Sequence, residues 1–225
     1  MAMNNGSTPT LFTGDLVFFS GKGLSSTIVK GFTCNRWSHV GMVVVWPGHE
    51  EPLIIEATRG NETADVFSGE CHSGVTLVSL SSKLAAYRGD IAYRRRQGEA
   101  LSQSQSKRLL KLCQALWRRP YRDYVTCHAL MTLRGYPKNA GYRGLFCSEL
   151  VAELYRRMGW LSAERPAHHY VPASFASATL VLQHGALTPL APIKTSDVPL
   201  TDIQSTVQQT VVREMPLQQQ LHVVG

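Results

Sequence analysis

A cysteine at the head of an amphipathic helix is a candidate nucleophile. This chain of 225 residues has one in the stretch Gly144-Leu145-Phe146-Cys147-Ser148-Glu149-Leu150-Val151. Apolar residues recur at Leu150, Val151, Leu154, Tyr155 and Met158, the three-and-four spacing of one buried helix face. Arg156 and Arg157 in the last turn, and Gly159 behind them, end the helix. Cys147 therefore falls at the helix N-terminus, where free N–H groups and the positive end of the macrodipole favour a thiolate. The competing reading is a small core side chain, since free cysteine is among the most buried residue types. A base decides between the two.

His39 is the candidate base. It stands at the mouth of His39-Val40-Gly41-Met42-Val43-Val44-Val45-Trp46, a largely β-branched run that reads as a central strand buried on both faces. Gly41 removes a side chain from the face that carries His39, which would leave room for a reacting group. Glu56 lies inside the next apolar strand, Leu53 to Thr58, where a carboxylate is costly without a partner. A two-residue turn at Pro47-Gly48 would set His39 directly opposite Glu56, whereas a loop from Pro47 to Pro52 would keep them on one face but four residues apart. A carboxylate on one imidazole nitrogen fixes the tautomer and leaves the other nitrogen as a base. The thiolate would attack a carbonyl carbon, and the backbone N–H groups of Cys147 and Ser148 could help hold the oxyanion.

Several further elements are expected to position these residues. Leu16 to Phe19, Val75 to Leu80 and Asp90 to Arg95 read as strands, with Leu180 to Leu182 as a last one. Ser25 to Phe32 reads as a short helix. Ser102 to Trp117 reads as a longer helix with Cys113 on its inner stripe. Val125 to Leu133 is a helix or turn whose adjacent Cys127 and His128 point apart, so they form no joint site. The expected organisation is a disordered N-terminus over 1–10, a catalytic domain over 11–185, and a mobile or loosely packed tail over 186–225.

Composition narrows the class. The five cysteines are 37, 42, 14 and 20 residues apart, too widely spaced for a zinc site and odd in number for a closed disulfide set. No metal or other cofactor is expected. Neither a signal peptide nor a membrane-length apolar run occurs, so the expected location is intracellular and cytoplasmic. Between Arg94 and Arg143 there are 12 Lys/Arg against Glu99 and Asp123, a net +10 in a chain whose total is +7. That band would suit an anionic membrane or another acidic partner. No base-reading motif accompanies it, so nucleic acid is disfavoured.

Taken together, Gly14-Asp15-Leu16-Val17-Phe18-Phe19 and Ser38-His39-Val40-Gly41-Met42-Val43 resemble the two strand motifs of NlpC-type papain-like amidases and peptidases. In that group the cysteine helix usually comes first. Here its counterpart, Phe146-Cys147-Ser148-Glu149-Leu150-Val151, comes last, as in the circularly permuted branch that includes YiiX-like proteins and the lecithin–retinol acyltransferase group. The resemblance covers about residues 11–160 and implies Cys147 as nucleophile, His39 as general base and a polar orienting residue on the next strand, here Glu56. It also implies an active-site tyrosine before the cysteine helix, which Tyr124 or Tyr121 would match. The Asn-Cys-Glu-His motif of the acyltransferase group is not matched by Phe-Cys-Ser-Glu.

The expected fold is thus α+β, a circularly permuted papain-like (NlpC-type) domain with a central antiparallel sheet packed against helices. The expected activity is a cysteine-dependent hydrolase of peptide, amide or ester bonds. Two other classes compete: a lipid-active acyltransferase or phospholipase on the same site, and a non-catalytic binding module. Oligomeric state is open.

Overall fold

Strands that are apolar on both faces need a covering layer on each, and both layers are present. The computed structural model describes residues 9–21, 35–60, 62–122 and 144–195. In chain order these form β1 (Leu16–Gly21), β2 (His39–Val44), β3 (Leu53–Thr58), β4 (Gly74–Ser79), α1 (Leu80–Ala86), β5 (Gly89–Arg94), β6 (Arg96–Gln97), α2 (Gln103–Leu116), α3 (Cys147–Arg157), a 3-10 turn (Ala167–His169), α4 (Pro172–Ala176), β7 (Ala186–Leu187) and β8 (Ala191–Lys194). Six strands make one antiparallel sheet in the order β4-β3-β2-β1-β5-β8, so β2 and β1 are its centre.

One face carries Leu16, Phe18, Val40, Met42, Ile55 and Leu77 against Leu109 and Leu116 of α2 and Leu150, Val151 and Leu154 of α3. Each fully buried aliphatic of this kind contributes about 1.5–3 kcal/mol over an exposed one. The other face carries Val17, Phe19, Val43, Ile54 and Ile91 against Leu80 and Leu84 of α1.

The expected strands and the helices at 102–117 and 147–158 are present, with bounds that differ by a residue or two. Three features differ from the sequence reading. Helix α1 is absent from that reading: it is short, and its signal is Ser79, whose hydroxyl accepts from Ser82 N–H as an N-cap. Leu180 to Leu182 form no strand. Residues 186–194, expected to begin a tail, instead supply β7, paired with β6, and the edge strand β8, paired with β5. Their two prolines, Pro189 and Pro192, suit an edge, where one side of the backbone needs no partner strand. The expected helix at 25–32, the expected helix or turn at 125–133 and residues 196–225 lie outside the described residues, as do 1–8 of the N-terminus.

Arg94 locks this C-terminal return. Arg94 is 3% exposed, and its guanidinium donates to the carbonyls of Phe175, Ser177, Leu187 and Thr188 over 2.6–3.1 Å. The first residue of the basic band is therefore structural. Arg122 is another: its Nη2 lies 2.9 and 2.8 Å from the two carboxylate oxygens of buried Glu149. Lys107, Arg108 and Lys111 on α2 are exposed. Among the described residues no helix is long and apolar enough to cross a membrane.

Candidate active site

The register of β2 on β3 decides where His39 meets Glu56. Met42 pairs with Ile55 and Val44 with Leu53, a pairing between the two that the sequence allowed. Continued outward, it sets Gly41 opposite Glu56, so His39 and Glu56 are diagonal neighbours on the α1 face. A diagonal pair is within reach of long side chains. His39 Nε2 is 2.6 Å from Glu56 Oε2. The other carboxylate oxygen, Oε1, accepts from Lys83 Nζ at 2.6 Å. Glu56 is fully buried, and Lys83 of α1 is 9% exposed.

Burial opposes ionisation of Glu56. The ammonium of Lys83 and the hydrogen bond and charge of His39 outweigh it and bring the carboxyl down to about 2. Burial likewise lowers the pKa of His39, but the charge and hydrogen bond of Cys147, then those of Glu56, lift it to about 9. With Nε2 on Glu56, Nδ1 is the nitrogen left for the sulfur.

Cys147 opens α3 from the opposite, α2–α3 side of the sheet, and its side chain is part of that core. Its N-cap, Phe146, is extended and has no side-chain acceptor, so the first-turn amides keep their donors for other partners. The Ser148 N–H is directed at the sulfur. Burial pushes the thiol pKa up. The imidazolium charge of His39 and its hydrogen bond, then the amides of Val40 and Ser148, bring it below the ordinary thiol range. Cys113 lacks such neighbours, and burial pushes it to about 12.

The Val40 amide is available because the ladder opens there. Val43 N–H donates to Asp15 toward β1, so by alternation the amides of Val40 and Met42 face β3. β3 pairs only from Met42 onward. The Val40 N–H, one step beyond, lies near enough to Cys147 to favour its thiolate. His39, at the same opening, reaches Glu56 on one face and Cys147 on the other.

Cys147, His39 and Glu56 are thus brought together, with the Ser148 amide beside the sulfur. Gly41 corrects an expectation: a Cβ there would lie 2.7 Å from Ile54 Cδ1, so the missing side chain makes room for Ile54 and not for a reacting group. Tyr121 packs against the main core, and its backbone bridges to Leu145, two residues before Cys147. Tyr124 lies outside the described residues, as do Cys127 and His128. Sequence reasoning missed Lys83; its signal is a cation on the stripe it shares with Leu80 and Leu84. No group of three or more His, Cys, Asp or Glu placed to hold a metal occurs among the described residues.

No family model matches the chain. No curated protein matches it either. A solved structure similar to it is that of the metalloprotein yiiX from Escherichia coli O157:H7, DUF1105, at 18% identity and a TM-score of 0.48. The match covers 82% of this chain and 97% of that one. At that distance the site stands on its own geometry, a thiol, an imidazole and a carboxylate aligned across the open end of a β-ladder.

Proposed function

We propose that the chain is a cysteine hydrolase of amide or ester bonds, built on a circularly permuted papain-like (NlpC-type) fold. The observation that carries this reading is the alignment of Glu56, His39 and Cys147 with the sulfur at the head of α3. The Cys147 thiolate adds to a carbonyl carbon, and the oxyanion is held by N–H groups at the helix head. The imidazolium gives its Nδ1 proton to the leaving amine or alcohol, and a thioester to Cys147 remains. Neutral His39 then takes a proton from water, the hydroxide adds to the thioester, and the carboxylic product leaves with the thiolate restored. The substrate class is peptide, amide or lipid ester, and the location is the cytoplasm.

The decisive measurement is a rapid acid quench after mixing with a panel of peptide amides and p-nitrophenyl esters, followed by intact mass. An acyl adduct on Cys147, absent in Cys147→Ala, is the expected result. No adduct, together with Cys147 alkylating no faster at pH 6 than Cys113, would leave a binding module. The exposed cations Lys107, Arg108 and Lys111 favour one second reading, in which the same thioester passes its acyl group to an acceptor at an anionic membrane. Labelled phospholipid as substrate separates the two by whether the acyl group ends on water or on an amine or alcohol.

A further inference from the structure

Glu56 is a carboxylate without solvent exposure, bonded to an imidazole, in the interior of an apolar strand. In such surroundings a carboxylate and an imidazolium have a cheaper alternative: the Nε2 proton moves to Oε2, and both groups become neutral. The imidazolium would then be lost, and with it the main electrostatic support of the Cys147 thiolate. An additional fixed cation is required to hold the charged arrangement, and the sequence carries one in an unusual place.

Lys83 sits in the middle of α1 between Leu80 and Leu84, all three buried. Its aliphatic stem lies in the apolar layer beneath the sheet, and its ammonium passes the Phe19 ring at 5.6 Å to end 2.6 Å from Glu56 Oε1. The capped start of α1 fixes the helix that delivers it. The Lys83 and His39 bonds use different oxygens, so the ammonium also sets the plane of the carboxylate and turns Oε2 toward the ring.

Resting on the hydrolase reading, we propose that Lys83 is a positioning residue of this site, which holds Glu56 as a carboxylate turned toward His39 and so preserves the imidazolium–thiolate pair. Titratable groups that face Glu56 include Lys83 from α1, His39 from β2 and the Tyr87 phenol just beyond α1. β4 presents Thr76 across the ladder. The Tyr87 phenol is raised to about 12, by burial first and then by the charges of Glu56 and Asp90, so it stays neutral over the working range. The charges alternate along the chain of groups: ammonium, carboxylate, imidazolium, thiolate. Removing the first leaves the second free to neutralise the third.

The test follows the Glu56 carboxyl carbon by NMR in the full-length protein, assigned by its loss in Glu56→Gln, beside the pH dependence of Cys147 alkylation by iodoacetamide. In the wild type the carbon is expected not to titrate between about pH 4 and 8. In Lys83→Met, which keeps the apolar stem, it becomes protonated in that range, and the acid limb of alkylation moves up by about one pH unit or more. Lys83→Arg restores both, which a purely structural role would not produce, since the bulkier head disturbs packing more. Titration of the wild-type carbon between about pH 4 and 8 overturns the proposal without any variant having to fold. So does an unmoved alkylation profile in folded Lys83→Met. If instead wild-type Cys147 is no more reactive than Cys113, the hydrolase reading fails, and the carboxyl carbon alone decides whether Lys83 holds Glu56 charged.

Discussion

His39 Nε2 and Glu56 Oε2 are 2.6 Å apart although their backbones are not opposite one another in the sheet. The contact is diagonal, made where β2 and β3 part, and the imidazole at that opening has the carboxylate on one face of the sheet and Cys147 on the other. The pair is therefore sensitive to charge on both sides.

Replacing Glu56 with Gln removes the anion between two cations. A buried ammonium without a counter-charge costs about 3–5 kcal/mol, to be read from urea melts. Below the melting range, Cys147 alkylation at about pH 6 is expected to fall about tenfold or more, the effect of about one unit of thiol pKa. An unchanged rate in the folded variant would show that Glu56 does not support the imidazolium.

Stability should carry the signature of the thiolate–imidazolium pair. The raised pKa of His39 gives stability that is complete below about pH 6.5 and is lost as pH rises through about 9. The lowered pKa of Cys147 gives stability that is complete above about pH 8.5 and is lost as pH falls through its folded value. Between about pH 6.5 and 8.5 the two slopes cancel, because the folded and unfolded pairs each hold one proton. The unfolding free-energy difference between wild type and Cys147→Ala should be level there and shrink on both sides. A difference that does not vary from about pH 5 to about pH 10 would mean that no ion pair forms.

Gly41→Ala is expected to destabilise by about 1–3 kcal/mol through overpacking against Ile54. Ile54→Ala alone should cost about 2–5 kcal/mol. Combined, the costs should fall short of their sum by about 1 kcal/mol or more, since the second change relieves the first. Strict additivity in denaturant melts would mean that the space over Gly41 is open.

Two truncations, to residues 1–185 and to residues 1–195, test the C-terminal return against each other. The shorter chain loses β7 and β8 and strips Arg94 of the Leu187 and Thr188 carbonyls. Leaving that buried guanidinium short of acceptors is expected to cost about 3 kcal/mol or more relative to the longer chain. Equal melting temperatures would restore the tail reading for 186–194.

The helix head at Cys147, the central strand and the His39–Cys147–Glu56 set were legible because each leaves a local mark: a 3.6 period, a β-branched run, a carboxylate where none is cheap. At 186–194 the proline-, glutamine- and threonine-rich composition of 186–225 as a whole misled, because it hid short strands that contain Leu187 and Ile193. Lys83 went unread because the short helix that carries it went unread, and its partner Glu56 is far away in the chain.

Sequence alone thus determined which groups could react and that they lie on a helix head and two neighbouring strands, because residue type and periodicity are properties of short segments. Only the tertiary structure decided the β2–β3 register, the opening that frees the Val40 amide for the sulfur, and the ammonium beneath Glu56. Those depend on how strands pair and which helix packs below them, contacts between residues far apart in the chain whose energies no local pattern records.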